Sequence, residues 1–364
     1  MQVKWIAFRL MVRSMVEETI PVLKALATSY REEVVQPKGT FYSPILRCLA
    51  GARILFFPDI IVQFNSMRLT RKLRHLTRKH DPLYFLVHSY YVSRQFTLRQ
   101  RVDVAMNHHK YELRAFNYAY ARQVYRSDGI LLWQQSIGAL RFTIILTASD
   151  DNRHEGDLTV ILSADGINLC RMSFCYLNAS VFRLHPNMAM LISRNQTYRN
   201  SARDAFDQHF KQNAPQFFCL FAICGIAMAN GFKTVFGIKH YAQIAYEKPR
   251  EMGFRNSYTA LWEKFDAVEI NQHVFMLNVP LKLRPVGLVS RVHRRRARAR
   301  RGYWDEIAHS ARESMVKYRT FSSSDSTFAA ASFGAAGDKN RLSAAFPTVL
   351  PVAGGAKSEN SQRI

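Results

Sequence analysis

His240 and Tyr241 follow directly on a short apolar run, FKTVFGI at 232–238, and form the polar pair best placed for chemistry. An imidazole titrates near neutral pH and can act as a general base, while a neighbouring phenol can donate a proton. Gln196 closes a second apolar run, MLISRNQ at 190–196, and joins them as a candidate cleft residue. Such a set at strand ends suits an acyl- or aminoacyl-transferase, with acyl-coenzyme A as the donor. The plainer alternative is that His240 is a hydrogen-bonded strand-end residue and that Gln196 ties down backbone. The start of the apolar stretch at 214–230 is the candidate cradle for a cofactor pyrophosphate, although the glycine-rich pattern R-x-x-G-x-G/A is missing. Asp150 and Asp165 sit in the turn sequences DDNRHEG and ADG, which account for them without catalysis. The chain carries no H-E-x-x-H pair and no G-x-S-x-G elbow. His108 and His109, being adjacent, should face different directions on a helix, so no metal site is expected.

Charge is the second chemical signal. Lys and Arg total 51 against 27 Asp and Glu, a formal charge of +24. Two segments concentrate it. SMRLTRKLRHLTRKH at 66–80 sets Arg71, Lys72, Arg74, Arg78 and Lys79 around a leucine stripe, and RVHRRRARARRGYW contributes Arg291, Arg294, Arg295, Arg296, Arg298, Arg300 and Arg301. On a helix the second group should spread around the surface; as a leash it would follow phosphates. An acidic membrane surface or envelope lipid satisfies this charge, and so does nucleic acid. Nucleic acid ranks lower, because no helix-turn-helix, zinc finger or RNA-binding signature accompanies the charge.

Five cysteines, at positions 48, 170, 175, 219 and 224, make neither paired disulfides nor a repeated metal spacing. The count reads as a reducing compartment, and the four cysteines at 170–224 read as core residues. Arg9 and Arg13 interrupt the apolar N-terminus, which therefore reads as an amphipathic helix and not as an export signal. The apolar stretch 217–232 falls short of the roughly 20 residues of a membrane span and reads as a buried helix. A cytoplasmic protein, peripheral to the inner membrane at most, is the expectation.

The elements that must position these residues divide the chain into four parts. Residues 1–34 form the basic amphipathic segment, and 35–135 read as mainly helical. Residues 136–318 mix strands and helices, and the Ala/Ser/Gly-rich 319–364 read as a disordered tail. LRFTIILTAS, LTVILS and INLCRMSFCYL, separated by turns, predict a three-stranded antiparallel meander. MAMLISRNQ at 188–196 and the runs at 232–238 and 273–280 add strands, and helices fall at 201–211, 214–230 and 258–265. The fold class is α+β: a helical N-terminal part, then a mixed, largely antiparallel sheet with helices covering one face. These are the ingredients of an acetyltransferase-type fold.

With these pieces assembled, the sequence resembles the bacterial VirK/YbjX family over roughly residues 40–312. The resemblance rests on EGDLTVILS at 155–163, INLCRMSFCY at 167–176, MLISRNQ at 190–196, GFKTVFGIKHYAQ at 231–243 and SYTALWEKF at 257–265. It implies a protein of Gram-negative bacteria connected with virulence and resistance to antimicrobial peptides. His240 matches the family's recurring histidine after the short strand. The stretch FKQNAPQFF at 210–218 departs from it, keeping Pro215 without the His-Gly pair that members carry there.

Overall fold

The computed structural model describes residues 90–149, 153–283 and 285–320. All of them fall in one compact unit. The amphipathic segment 1–34, the basic stretch with Arg71, Lys72, Arg74, Arg78 and Lys79, Cys48 and the tail lie outside the described residues.

The first described helices are α1 (Leu98–Ala115) and α2 (Tyr118–Arg126). Thr97 and Gln100 form a reciprocal capping box at the start of α1, and the Asn117 side chain caps α2. Five strands then run antiparallel in sequence order: β1 (Ile130–Ile137), β2 (Leu140–Ala148), β3 (Leu158–Ala164), β4 (Ile167–Asn178) and β5 (Met188–Thr197). Two helices follow, α3 (Ser201–His209) and α4 (Pro215–Ala229). The chain then crosses over to β6 (Thr234–Ile238), which pairs parallel with β5. Two short helices, α5 (Glu251–Ser257) and α6 (Thr259–Glu263), lead to β7 (Val268–Glu269) and β8 (Val274–Asn278). β8 lies between β6 and β7, giving one eight-stranded sheet in the order β1-β2-β3-β4-β5-β6-β8-β7. The last element is the long helix α7 (Arg291–Val316).

The α+β class and the meander agree with the sequence reading, with two corrections. The meander has a strand before it: ILLWQQSI, expected within the helical part, is β1. A register shift between Leu131 and Trp133 buries Leu132 and Trp133 side by side, which breaks the alternation that marks a strand. Nor do the helices cover one face alone. Almost every residue of β3 and of β4 from Leu169 to Leu177 is buried, so both faces of the central strands are covered.

Helix α4 is apolar around its whole circumference and nearly all of it is buried, as a helix packed on several sides must be. It lies against β3, β4 and β5 and against α7. Contact with α7 depends on Gly225, where an added Cβ would stand 2.3 Å from the Ala308 carbonyl oxygen and 2.8 Å from Ala311 Cβ. Gly225→Val should therefore push α7 off α4 at a cost of about 1–3 kcal/mol, read as a lower urea midpoint. An unchanged midpoint would show that the two helices separate without loss. Cys170, Cys175, Cys219 and Cys224 are all buried and unbridged, and burial pushes the Cys224 thiol up to about 12. That fits core residues and not reactive thiols.

Candidate functional site at the parting of β5 and β6

β5 and β6 are the parallel pair in an otherwise antiparallel sheet, and they pair over only Met190–Ile192 against Val235–Gly237. β5 runs on to Thr197 with no strand of the described residues beside it on that flank. Opposite Ser173 and Phe174 of β4 the register shifts, so that Ser193 is an extra residue in β5. Such a bulge bends a strand and re-aims its backbone groups at the point where the strands part. The Asn195 N–H, beyond the paired stretch, donates to the Tyr258 hydroxyl at 3.1 Å, and the Asn195 side chain donates to the Ser257 carbonyl at 2.7 Å. Burial, the largest influence, pushes the Tyr258 phenol well above its ordinary value, so it stays protonated.

A buried ionic network joins the two sides of this opening. The β2–β3 connection supplies Glu155, whose Oε2 lies 2.9 Å from Arg194 Nη1 of β5. Its Oε1 accepts from Gln243 Nε2 at 2.5 Å, just past the turn that follows β6. Arg194 also donates to Gln196 Oε1, which takes a second hydrogen bond from Tyr198 Oη at 3.1 Å. Gln196 is thus tied to the side chains of Arg194 on its own strand and of Tyr198 just past its end.

His240 and Tyr241 lie in a single turn of 3-10 helix, His240–Ala242, directly after β6. His240 Nδ1 is 2.8 Å from Thr259 Oγ1 and its Nε2 is 3.6 Å from Glu251 Oε1. Its ring stands edge-on to Tyr241 at 5.0 Å between centroids. The structure therefore joins His240 with Tyr241 and places Gln196 in the neighbouring Arg194–Glu155–Gln243 network. Sequence reasoning missed Glu155, Arg194 and Gln243; the available signal was the acidic pair flanking Gly156 in EGD. Gly156 has φ +138°, and a Cβ there would stand 3.0 Å from Ser193 Oγ and 3.1 Å from the Phe174 backbone. Only glycine lets the turn approach β4 and β5 so closely.

The start of α4, the expected pyrophosphate cradle, is closed over by α7. Pro215 and Asn213 are buried, and Asn213 Oδ1 accepts from Trp304 Nε1 at 3.0 Å.

A second polar cluster lies where α1 meets β4. β3 begins only at Leu158, opposite Phe174, so the Tyr176 N–H has no partner in β3 and donates to His108 Nδ1 at 3.1 Å. His108 Nε2 is 3.2 Å from Glu112 Oε2 and 3.9 Å from Asp157 Oδ2, and His109 Nδ1 is 3.9 Å from Glu112 Oε2. Tyr120 donates to Glu112 Oε1 at 2.8 Å, Tyr125 donates to Oε2 at 2.5 Å, and Tyr91 donates to Asp157. The adjacent histidines thus converge on one carboxylate, against the expectation that they point apart, and their ligand atoms and that of Glu112 lie within 4.8 Å. A metal on His108 Nε2 would need the ring proton on Nδ1, where the Tyr176 N–H already points. The cluster suits a buried carboxylate held by a neutral histidine and tyrosine hydroxyls better than a cation. Burial lowers the His108 pKa and the Glu112 and Asp157 carboxylates raise it by more, yet only an unprotonated Nδ1 can accept from Tyr176. The hydrogen bond decides the resting ring: neutral, with its proton on Nε2. Burial, then the Glu112 charge, pushes the Tyr120 and Tyr125 phenols up, which keeps both as donors.

The arginine-rich segment is helical. Arg294 is spent on the preceding turn, donating to the Val289 and Gly287 carbonyls at 3.0 and 2.8 Å. Arg300 lies over the Trp304 ring at 5.0 Å. Arg295, Arg296 and Arg298 are exposed, and Arg301 is half-buried.

The model of a family described as a protein of unknown function (DUF535) matches residues 51–313, more than half of the chain. The chain belongs to this family. Comparison with curated proteins and with solved structures gives no match. The matched range takes in both polar clusters and most of α7, and ends before the Ala/Ser/Gly-rich segment. Among the described residues no helix is long and apolar enough to cross a membrane.

Proposed function

We propose that this chain is an acyl-coenzyme A-dependent transferase of the VirK/YbjX type, working at the opening between β5 and β6. The observation that carries this reading is the parallel pair that parts after three residue pairs beside a bulge at Ser193. An extended, amide-bearing arm would add to the flank of β5 that β6 leaves, taking over the Asn195 N–H that the Tyr258 hydroxyl now holds. The thioester of such a donor supplies an acyl carbon open to attack by an amine or hydroxyl, with the C–S bond breaking as the new bond forms. His240, 12% exposed in its side chain, takes the proton of the attacking group on Nε2. Thr259 Oγ1 holds Nδ1, and the Tyr241 phenol gives a proton to the departing thiolate. The Arg194–Glu155–Gln243 network keeps β5 and the His240 turn at a fixed separation.

Titration of the full chain with acetyl- and long-chain acyl-coenzyme A by calorimetry tests this reading, and absence of binding to either rejects it. Where transfer to an amine acceptor is measurable, His240→Ala should lower turnover about 10²–10⁴-fold and leave donor affinity unchanged. Equal turnover removes His240 as the base.

A further inference from the structure

The first three turns of α7 are built to face an anionic surface. From Pro285 to Trp304 the chain holds seven arginines and no acidic residue. At 100° per residue, Arg291, Arg295 and Arg298 fall within about 60° of arc on one side of the helix. All three are exposed, as is Arg296. The opposite side, carrying Ala297, Trp304, Ile307, Ala308 and Ala311, is buried in the core. The core thus fixes which side of the helix the free guanidinium groups present.

Two aliphatic side chains stand among these charges. Val292 is 78% exposed and Leu288 is 62% exposed. Val292 projects between Arg295 and Arg296, one turn further on. Leu288 is held outward: Arg294 donates to the carbonyls of Gly287 and Val289, the residues on either side of it. The Leu288 and Val289 N–H groups close the same turn on Pro285 and Val286 at 3.0 Å each. A turn ordered by an arginine so that it shows a leucine to solvent has no role in covering the core. Guanidinium groups alone would suit any polyanion, but phosphates of a nucleic acid have no use for a rigidly displayed leucine and a valine. A lipid surface uses both, burying the aliphatic groups at the acyl boundary while arginines meet headgroup phosphates.

We infer that the Leu288–Arg298 segment docks the protein on a membrane of anionic lipid. The direction of α7 then follows: its arginine-rich start meets the membrane, and its second half, from Trp304 on, stays in the core. This inference is independent of the transferase reading, because no residue of the β5–β6 opening takes part.

The test is flotation of the full chain on phosphatidylcholine vesicles with and without phosphatidylglycerol, at low and high salt. Binding is expected on the anionic vesicles alone and should fall as salt screens it. Each guanidinium near the surface contributes about a fivefold change in partitioning, so R291Q/R295Q/R298Q should weaken binding about 100-fold. L288S/V292S should weaken anionic-vesicle binding several-fold while leaving any binding to a DNA duplex unchanged. All five side chains are exposed, so both variants should keep the wild-type melting curve. Equal recovery on neutral and anionic vesicles overturns the inference, and so does wild-type flotation by the triple arginine variant. Tight duplex binding that the triple variant abolishes, with L288S/V292S floating as wild type, would assign the surface to nucleic acid instead.

Discussion

Replacing Glu112 by leucine is expected to cost about 2–5 kcal/mol of stability, at about 1–3 kcal/mol for each of two tyrosine hydroxyls that lose their acceptor. Glu112 Oε1 accepts from the buried Tyr120 hydroxyl and Oε2 from the half-buried Tyr125 hydroxyl, and leucine leaves both donors without that acceptor. Urea unfolding of the two proteins measures the difference, and a loss under 1 kcal/mol would show that the cluster relaxes around the leucine. The same residue sets a pH dependence. Burial alone would raise its carboxyl, but His108 and His109 outweigh burial and hold it well below the usual carboxylate range. A folded-state pKa below the unfolded one stabilises the fold above the unfolded value and loses that contribution as pH falls. Wild-type stability should therefore decline below the ordinary glutamate value of 4.5 more steeply than that of Glu112→Leu. Parallel pH profiles would remove Glu112 from acid unfolding.

Glu155→Ala should have the second large effect, about 3–5 kcal/mol, because it takes away the carboxylate that faces Arg194. It also takes the acceptor from Gln243 Nε2, so β5 and the turn carrying His240 lose their shared tether. Glu155→Gln keeps the side-chain length and an acceptor oxygen, and should lose less. If the opening binds a coenzyme, donor affinity should fall across the series in the order glutamine, then alanine, at a temperature where all three remain folded. Calorimetric titration beside a thermal melt separates the two effects. Equal affinity in the three proteins would mean that the network holds the fold without shaping the opening.

Most of the strands and helices were legible because each run has a period or a boundary of its own. β2, β3, β4 and β5 end within about a residue or two of their expected positions, since turn residues bound each β-branched run. α4 was recognisable as buried because no polar residue interrupts it after Gln216. β1 escaped because its bulge puts two buried residues in succession. β7 escaped because a two-residue strand has no period.

The candidate site was legible only in part. His240 and Tyr241 could be found because they end an apolar run, a local signal. Beyond the acidic pair flanking Gly156, nothing local marks Glu155, Arg194 and Gln243 as one set, because 38 or more residues lie between neighbours in that network. His108 and His109 show the same limit. Adjacency argued for divergence, but a carboxylate one turn away and the unpaired end of β4 bring both rings to one point.

Arginine makes the division clearest. The sequence by itself determined the α+β class, the strand order through the meander, the apolar character of α4 and the concentration of charge at 291–301. Which of those arginines stay free was decided only in three dimensions. Seven guanidinium groups of identical chemistry are sorted by the side of α7 that α4 and β1 bury, by a turn whose carbonyls need Arg294, and by Trp304 beneath Arg300. Composition fixes how much charge a segment carries, whereas packing fixes the direction in which that charge faces.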